Sequence, residues 1–375
     1  MKILFLCAGF PVGGAEIFLI NLVNNLDNSK FQPYIVSLSG PTELEKRIRP
    51  VIPFYRYERK YKYDFKPLKS IRNLINKESF SSIFVLDLFA FFYLKLALRK
   101  KIINYKIIIS LHSTAPRSLK DLLQKLFYPR FLNGKEKLIA VCNNQADYLA
   151  KMNFINKKQF SVIYNGIDPE RWLMPDNFNK EALKKEYNIP SDSVIIIQVA
   201  VFRKEKAHKD SVLALEILHN SSNYKPFLLL VGGGSKEIQD EIRSLSSIKG
   251  IDKYVIFAGE KEDVRPLYWI SDLFTLSSFA ETFSISALEA MASGLPCVLT
   301  DIGGASEMIF EGINGYLTPS GKPVQLAEKW KKILDNIKNF SPEKIRQIVI
   351  DKFTLEQNIE QYQNLFEITD RGILN

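Results

Sequence analysis

The thirty residues Ser278–Glu307 read SFAETFSISALEAMASGLPCVLTDIGGASE. Two glutamates in this stretch, Glu281 and Glu289, stand eight positions apart. Glu281 falls in a loop of small residues, and Glu289 in the helix predicted to follow over Ser284–Ala292. Gly294-Leu295-Pro296 ends that helix, Cys297-Val298-Leu299 starts a short apolar strand, and Gly303-Gly304 turns the chain ahead of Glu307. A loop that opens a helix offers backbone N–H groups and a positive dipole end to an anion. A carboxylate one to two turns further on can accept hydrogen bonds from sugar or ribose hydroxyls. The stretch therefore suits a ligand that carries a phosphate and a polyol together.

The sequence on either side indicates an α/β fold. Strands are predicted at Lys2–Cys7, Gln32–Leu38, Ser82–Leu86, Lys106–Leu111, Leu138–Val141 and Phe160–Ile163. Leu19, Leu22, Val23 and Leu26 recur between them at helical spacing, as do Leu119, Leu122, Leu123 and Leu126. The alternation restarts after Asn165-Gly166-Ile167-Asp168-Pro169, where Asn-Gly suits a sharp turn and Pro169 disfavours helix just before it. Further strands are predicted at Val194–Val199, Phe227–Val231, Val255–Ala258, Leu273–Leu276 and Cys297–Thr300. Helices are predicted near Lys209–His219, Lys236–Ser246, Pro323–Ile337 and Thr354–Phe366. Continuous apolar strands separated by helices mean parallel sheets covered on both faces. The expectation is two Rossmann-like βα domains, 1–165 and 166–353, in a chain of 375 residues.

Charge divides at the same point. Residues 1–165 hold 27 lysines and arginines against 11 acids, a net of +16, within a whole-chain charge of +10. Ten of these bases lie between Lys46 and Arg72, interleaved with Phe54, Tyr55, Tyr57, Tyr61, Tyr63 and Phe65. Segment 46–72 suits an anionic membrane surface, where rings sit at headgroup depth. A plain solvated basic loop accounts for it as well. Nucleic acid ranks last, because no nucleic-acid-binding motif accompanies the charge. No apolar run reaches the length of a transmembrane helix; Asp87 and Lys95 interrupt Phe84–Leu98. The start, Met-Lys-Ile-Leu-Phe-Leu-Cys, reads as a buried strand and not a signal peptide. Cys7, Cys142 and Cys297 are widely spaced in or beside apolar strands, as buried reduced thiols would be, which points to the cytoplasm.

Glu281-x7-Glu289, continued as Glu289-Ala-Met-Ala-Ser-Gly294-Leu-Pro296, resembles the signature of family 4 retaining glycosyltransferases of the GT-B fold. Gly13-Gly14-Ala15-Glu16, His112 after a strand, Asn165-Gly166-Ile167-Asp168 and Lys206 after another strand agree in order. The resemblance implies two domains facing each other across a cleft. The first would bind the acceptor and the second the nucleotide sugar, with a last helix, 354–375, crossing back to the first and closure about Asn165–Asp168 excluding water. It implies transfer of a hexose or N-acetylhexosamine from a nucleoside-diphosphate sugar, such as a UDP-sugar, to an acceptor hydroxyl with retention. With the basic first half, it suggests a lipid-linked or surface-polysaccharide glycan as acceptor. The protein is then expected to be cytoplasmic and peripheral on the inner membrane face.

Site roles follow from the same resemblance. Glu281 resembles the glutamate beside the donor sugar, and Glu289 the one that hydrogen-bonds the ribose. Thr282, Phe283 and Ser284 would aim backbone amides at sugar and diphosphate, although many relatives have glycine where Ser284 stands. Lys206 would neutralise the leaving diphosphate. Val201 occupies the position where the family commonly has arginine, so Arg203 is the candidate to supply a guanidinium. His112 resembles the histidine near donor sugar or acceptor. Gly13, Gly14 and Gly233 would let backbone approach the ligand, though plain tight turns explain them too. Gly259 through Val264 would lie near the base. No Asp-x-Asp pair occurs, which argues against the metal-dependent alternative fold; no metal or cofactor is expected. Two other readings remain open: a GT-B relative that phosphorolyses or epimerises sugars, and a catalytically silent scaffold that binds membrane glycolipid.

Overall fold

A computed structural model describes residues 1–10, 13–61, 63–98, 105–112, 123, 126–153 and 155–368. The chain divides into two compact units, Met1–Asn165 with Gln357–Asn375, and Gly166–Glu356.

The first unit is built on seven parallel strands. They are β1 (Lys2–Cys7), β2 (Gln32–Ser37), β3 (Phe54–Arg56), β4 (Ser82–Val85), β5 (Lys106–Leu111), β6 (Lys137–Ala140) and β7 (Phe160–Val162). Their order is β3-β2-β1-β4-β5-β6-β7. Ile3 pairs with Pro33 on one side and Ser82 on the other, so β1 is central. Apolar and β-branched residues fill these strands because helices cover both faces. The helix Leu88–Leu98 is buried on nearly every side. Its one charge, Lys95, lies 3.1 Å from the buried carboxylate of Glu136. Leu119 and Leu122 of the predicted leucine helix lie outside the described residues. The final helix, Leu355–Glu367, sets Phe366 edge-on to Phe5 and Phe84. Its Gln363 accepts from the Asp27 amide at 2.8 Å.

The basic, aromatic segment is not uniform. Phe54 and Tyr55 belong to β3, and Tyr55 and Tyr57 pack against the core. Tyr61, Tyr63 and Phe65 are exposed by 65%, 47% and 48%. The sequence grouped all six aromatics as one surface set; pairing of β3 with β2 turns half of them inward.

The second unit carries six parallel strands: β8 (Ile195–Val199), β9 (Phe227–Val231), β10 (Val255–Gly259), β11 (Leu273–Leu276), β12 (Cys297–Thr300) and β13 (Gly315–Thr318). Their order is β10-β9-β8-β11-β12-β13. The helix Pro323–Asp335 buries Trp330 completely, and its indole N–H donates to Thr275 Oγ1 at 3.1 Å. This helix packs against His208–Ser221. His208 and His219 are both buried. His208 stacks on Phe202, and His219 sits edge-on to Tyr254 while its Nε2 pairs with the Pro226 carbonyl at 3.0 Å.

All three cysteines are buried free thiols. Among the described residues, no helix is long and apolar enough to cross a membrane. Trp330→Ala should destabilise the second unit by about 3–5 kcal/mol, the range for removing a large buried side chain. Urea denaturation followed by far-UV circular dichroism checks this; a loss under about 1 kcal/mol would mean the core closes over the gap.

Candidate functional site

In both sheets the strand order reverses direction, between β1 and β4 and between β8 and β11. Open α/β sheets bind ligands at the carboxyl ends of the strands beside such a reversal. In the second unit the loops after β8 and β11 meet there.

The loop after β8 contains a short 3-10 turn, Lys204–Lys206, that ends on Ala207 in the left-handed conformation at φ 47°. Buried polar side chains hold it from below. Gln198 donates to the Lys206 carbonyl at 3.1 Å, and Ser277 donates to the Ala207 carbonyl at 2.8 Å. Ser211 donates to Gln198 at 2.7 Å and lies 3.0 Å from Ser277, which closes the network. The amide of Phe279 donates to the Glu205 carbonyl at 2.7 Å and ties this loop to the one after β11. So placed, Lys206 Nζ donates to Glu281 Oε2. Both side chains are mostly buried, at 19% and 23% exposure. Arg203 is half-exposed, and its guanidinium comes only within 3.9 Å of Glu205. Val201 is partly buried.

Gly303 fixes the backbone of the Glu281 loop. Its φ is +55°, and a Cβ there would fall 2.3 Å from the Glu281 carbonyl oxygen and 2.6 Å from that of Thr282. Gly304 donates to the Thr282 carbonyl at 2.7 Å. Phe283 is buried edge-on to Phe353 and anchors the loop. Ser284 caps the helix Ile285–Ala292 by accepting from the Ala287 amide at 3.2 Å. A serine suits this position because a hydroxyl satisfies one of the free donors of the first turn.

Glu289 lies further along this helix. Tyr268 donates toward Glu289 Oε2 at 3.1 Å and toward the Ser286 carbonyl at the same distance. Burial pushes the Glu289 carboxyl up to about 7, against the hydrogen bond from Tyr268 and the charge of Arg171. Gly232-Gly233-Gly234 lets the ends of β8, β9 and β10 pack backbone to backbone. Phe202 donates to the Gly233 carbonyl at 2.7 Å, and a Cβ on Gly232 would fall 2.3 Å from the Ala200 carbonyl oxygen. Val264 precedes the short helix Arg265–Trp269 and accepts from Leu267 at 3.1 Å through its carbonyl.

In the first unit, Gly13 is extended at φ −163° and Gly14 opens the helix Gly14–Asn25. The Glu16 carboxylate folds back over Gly13, where a Cβ would lie 2.6 Å from Oε2. Burial raises the Glu16 carboxyl, and the nearby charge of Asp87 adds to the rise. His112 follows β5, with Nε2 3.0 Å from Ser110 Oγ; that oxygen is 3.4 Å from the Tyr362 hydroxyl of the last helix. The ring packs on Phe18 at 4.7 Å. Burial lowers His112 to about 4, so the imidazole is neutral at pH 7.

The structure therefore brings Lys206 onto Glu281 at one strand-order reversal, with Glu289 on the helix this loop opens. Gly13 and His112 stand after β1 and β5 of the other sheet. Sequence reasoning missed Tyr268 and the Gln198–Ser211–Ser277 network. No motif marks them, and β11 and β8 become neighbours only in the folded sheet. A mostly buried cation beside a carboxylate, with a capped helix start and a second carboxyl held by a tyrosine, can bind a phosphate and a polyol together.

The model of the family described as "Glycosyl transferases group 1" matches residues 179–348, and that of "Glycosyltransferase Family 4" matches residues 12–171. The chain is 33% identical over 227 residues to N-acetyl-alpha-D-glucosaminyl L-malate synthase of Bacillus anthracis. That match covers 60% of this chain and 56% of the relative, so it spans little more than half of the relative's length. The putative glycosyltransferase EpsF of Bacillus subtilis is 27% identical over 312 residues, 80% of this chain and 79% of that protein. The structure of HepE from Anabaena in complex with UDP superposes with a TM-score of 0.83 at 21% identity, over 97% of this chain and 99% of that one. The fold is GT-B.

Ionisation gives a test of the Glu289 environment. His112 and His208, both lowered to about 4, resist protonation in the folded state. Unfolded histidines protonate near 6.5, so this share of stability is lost as pH falls from about 6.5 towards 4. Glu289, raised to about 7, has the opposite sign: its share is present below about 4.5 and lost as pH rises through 7. Glu289→Gln should therefore gain stability more steeply than the wild type between pH 5 and 8. Denaturant midpoints across that range would show it, and parallel profiles would contradict the assignment.

Proposed function

Because this chain belongs to the family 4 glycosyltransferases, we propose that it transfers a sugar from a nucleoside-diphosphate sugar, most simply a UDP-sugar, to an acceptor hydroxyl with retention. The observation that carries the reading is the contact of Lys206 with Glu281 where the loops after β8 and β11 meet. In this reading the bond between the anomeric carbon and the diphosphate oxygen breaks, and the electron pair leaves with the diphosphate. Lys206 keeps two further N–H donors for that developing charge, and Arg203 adds a second cation from the loop edge. The acceptor oxygen bonds to the same face of the anomeric carbon, and its proton passes to the departing phosphate oxygen. Glu281 lies beside the sugar, and Glu289 accepts from the ribose. Thr282, Phe283, Ser284, Gly233 and Val264 shape the donor site through their backbone. Two side-chain cations offset the diphosphate charge, so the reaction is proposed to run without a metal.

The first unit takes the acceptor, with Gly13, Gly14 and neutral His112 at the carboxyl edge of its sheet. The exposed rings of Tyr61, Tyr63 and Phe65, among lysines in a half-chain of net charge +16, favour a lipid-linked acceptor at an anionic inner membrane face. The half-exposed Arg203 and the valine at position 201 favour one competing reading, a silent glycolipid-binding scaffold.

Lys206→Ala and Glu281→Ala should each lower kcat by about 10²–10³ while the fold persists, the scale of losing one transition-state electrostatic contact. Glu289→Ala should act mainly on the donor KM. A thermal-shift and hydrolysis screen against nucleotide sugars, with and without EDTA, tests donor and metal together. Full activity in both the Lys206 and Glu281 variants would favour the scaffold, and loss of turnover in EDTA would end the metal-free mechanism. Replacing Lys60, Lys66 and Lys69 by glutamine should weaken sedimentation with anionic vesicles by about tenfold or more, at up to about 1 kcal/mol per lysine. Unchanged sedimentation would confine this segment to a solvated loop.

A further inference from the structure

Tyr268 is fully buried, yet its hydroxyl reaches the one titratable helix side chain assigned to ribose binding. Its ring is fixed edge-on by Trp172 at 5.5 Å and packs on Phe274. Trp269, next in the chain, donates to the Trp172 carbonyl at 2.9 Å and locks the two segments together. The phenol has one proton and two acceptors at 3.1 Å, Glu289 Oε2 and the Ser286 carbonyl. When Glu289 is ionised, the phenolic proton goes to Oε2. When Glu289 is neutral, its own proton on Oε2 can be donated to the phenolic oxygen, and the phenolic proton turns to the Ser286 carbonyl. Every donor is satisfied in both states without movement of a heavy atom. Oε1 has no protein hydrogen bond among the described residues.

We propose that Tyr268 is a positioning residue for nucleotide recognition: it holds Oε2 of Glu289 in both protonation states, leaves Oε1 to accept from the ribose diol, and sets the pH range of donor binding. The inference rests on the donor-site reading given above and names a residue that reading does not use. Other charges surround the pair. Arg171 favours the ionised carboxyl, while Cys297 on β12 lies near the Tyr268 hydroxyl as a buried thiol. Arg346, from the helix Pro342–Lys352, is already committed to the Pro169 and Ala292 carbonyls and to Glu170. Arg265 is committed to Asp263. None of these replaces the Tyr268 hydrogen bond. Without it, the carboxyl holds its proton to higher pH, and that proton must be donated outwards, in conflict with the ribose hydroxyls.

The test is UDP affinity against pH by calorimetry, for the wild type and Tyr268→Phe, after both are shown to melt cooperatively. The variant's midpoint should move up by about one pH unit, the scale of one charge-assisted hydrogen bond. Its affinity at pH 7 should fall about five- to tenfold and converge with the wild type near pH 9. A uniform loss with an unmoved midpoint would reduce Tyr268 to a packing role and overturn the proposal. In parallel, the Glu289 carboxyl is titrated by ¹³C NMR in the free protein, assigned through Glu289→Gln. An unmoved carboxyl midpoint in Tyr268→Phe overturns the inference whatever UDP does. A shifted carboxyl with no UDP binding in either protein overturns both the ribose role and the donor-site reading, and leaves only the proton exchange between the two residues.

Discussion

A lysine and a glutamate that have both largely left water need a close partner of opposite charge. Lys206 and Glu281 meet this condition across the β8–β11 reversal, and much of the second unit is arranged to keep them there. Removing water from two charges costs several kcal/mol per ion, so such a pair survives only with good geometry and further hydrogen bonds. The supports differ on the two sides. Gln198, Ser211 and Ser277 hold the lysine loop through buried polar side chains, whereas the glutamate loop rests on its close backbone approach to Gly303 and on the buried Phe283 ring. A pair so held is preorganised; in the proposed reading its cation is in place before a diphosphate arrives.

Strands with continuous apolar runs were legible in the sequence, because burial on both sheet faces leaves an unbroken signature. β3 and β13 were not. Phe54–Arg56 is three residues long within a basic tract, and Gly315–Thr318 begins with a glycine, so neither shows periodicity. Histidine burial was illegible for a related reason. His208 and His219 look like polar helix residues, yet aromatic rings and the neighbouring Pro323–Asp335 helix enclose the helix that carries them. Side-chain polarity predicts the exposed face only where one face of a helix is covered.

The candidate site divides in the same way. Lys206, Glu281 and Glu289 stood out because they belong to recurring local patterns with fixed spacing. The residues that give them their properties carry no pattern. Tyr268 reaches Glu289 across 21 positions of sequence, and Gln198 reaches the Lys206 carbonyl through the interior. Local spacing marks out candidate groups. The environment that tunes them comes from strand order, which one sequence does not display.

The three cysteines, each with no exposed surface, have a practical meaning. Burial raises the Cys7 and Cys297 thiols, so neither offers a thiolate to reagents in solution. With all three thiols enclosed, the folded chain should react only slowly with maleimides. A single cysteine introduced on an exposed helix would be its one reactive handle, and a dye or spin label could be attached without first rebuilding the core.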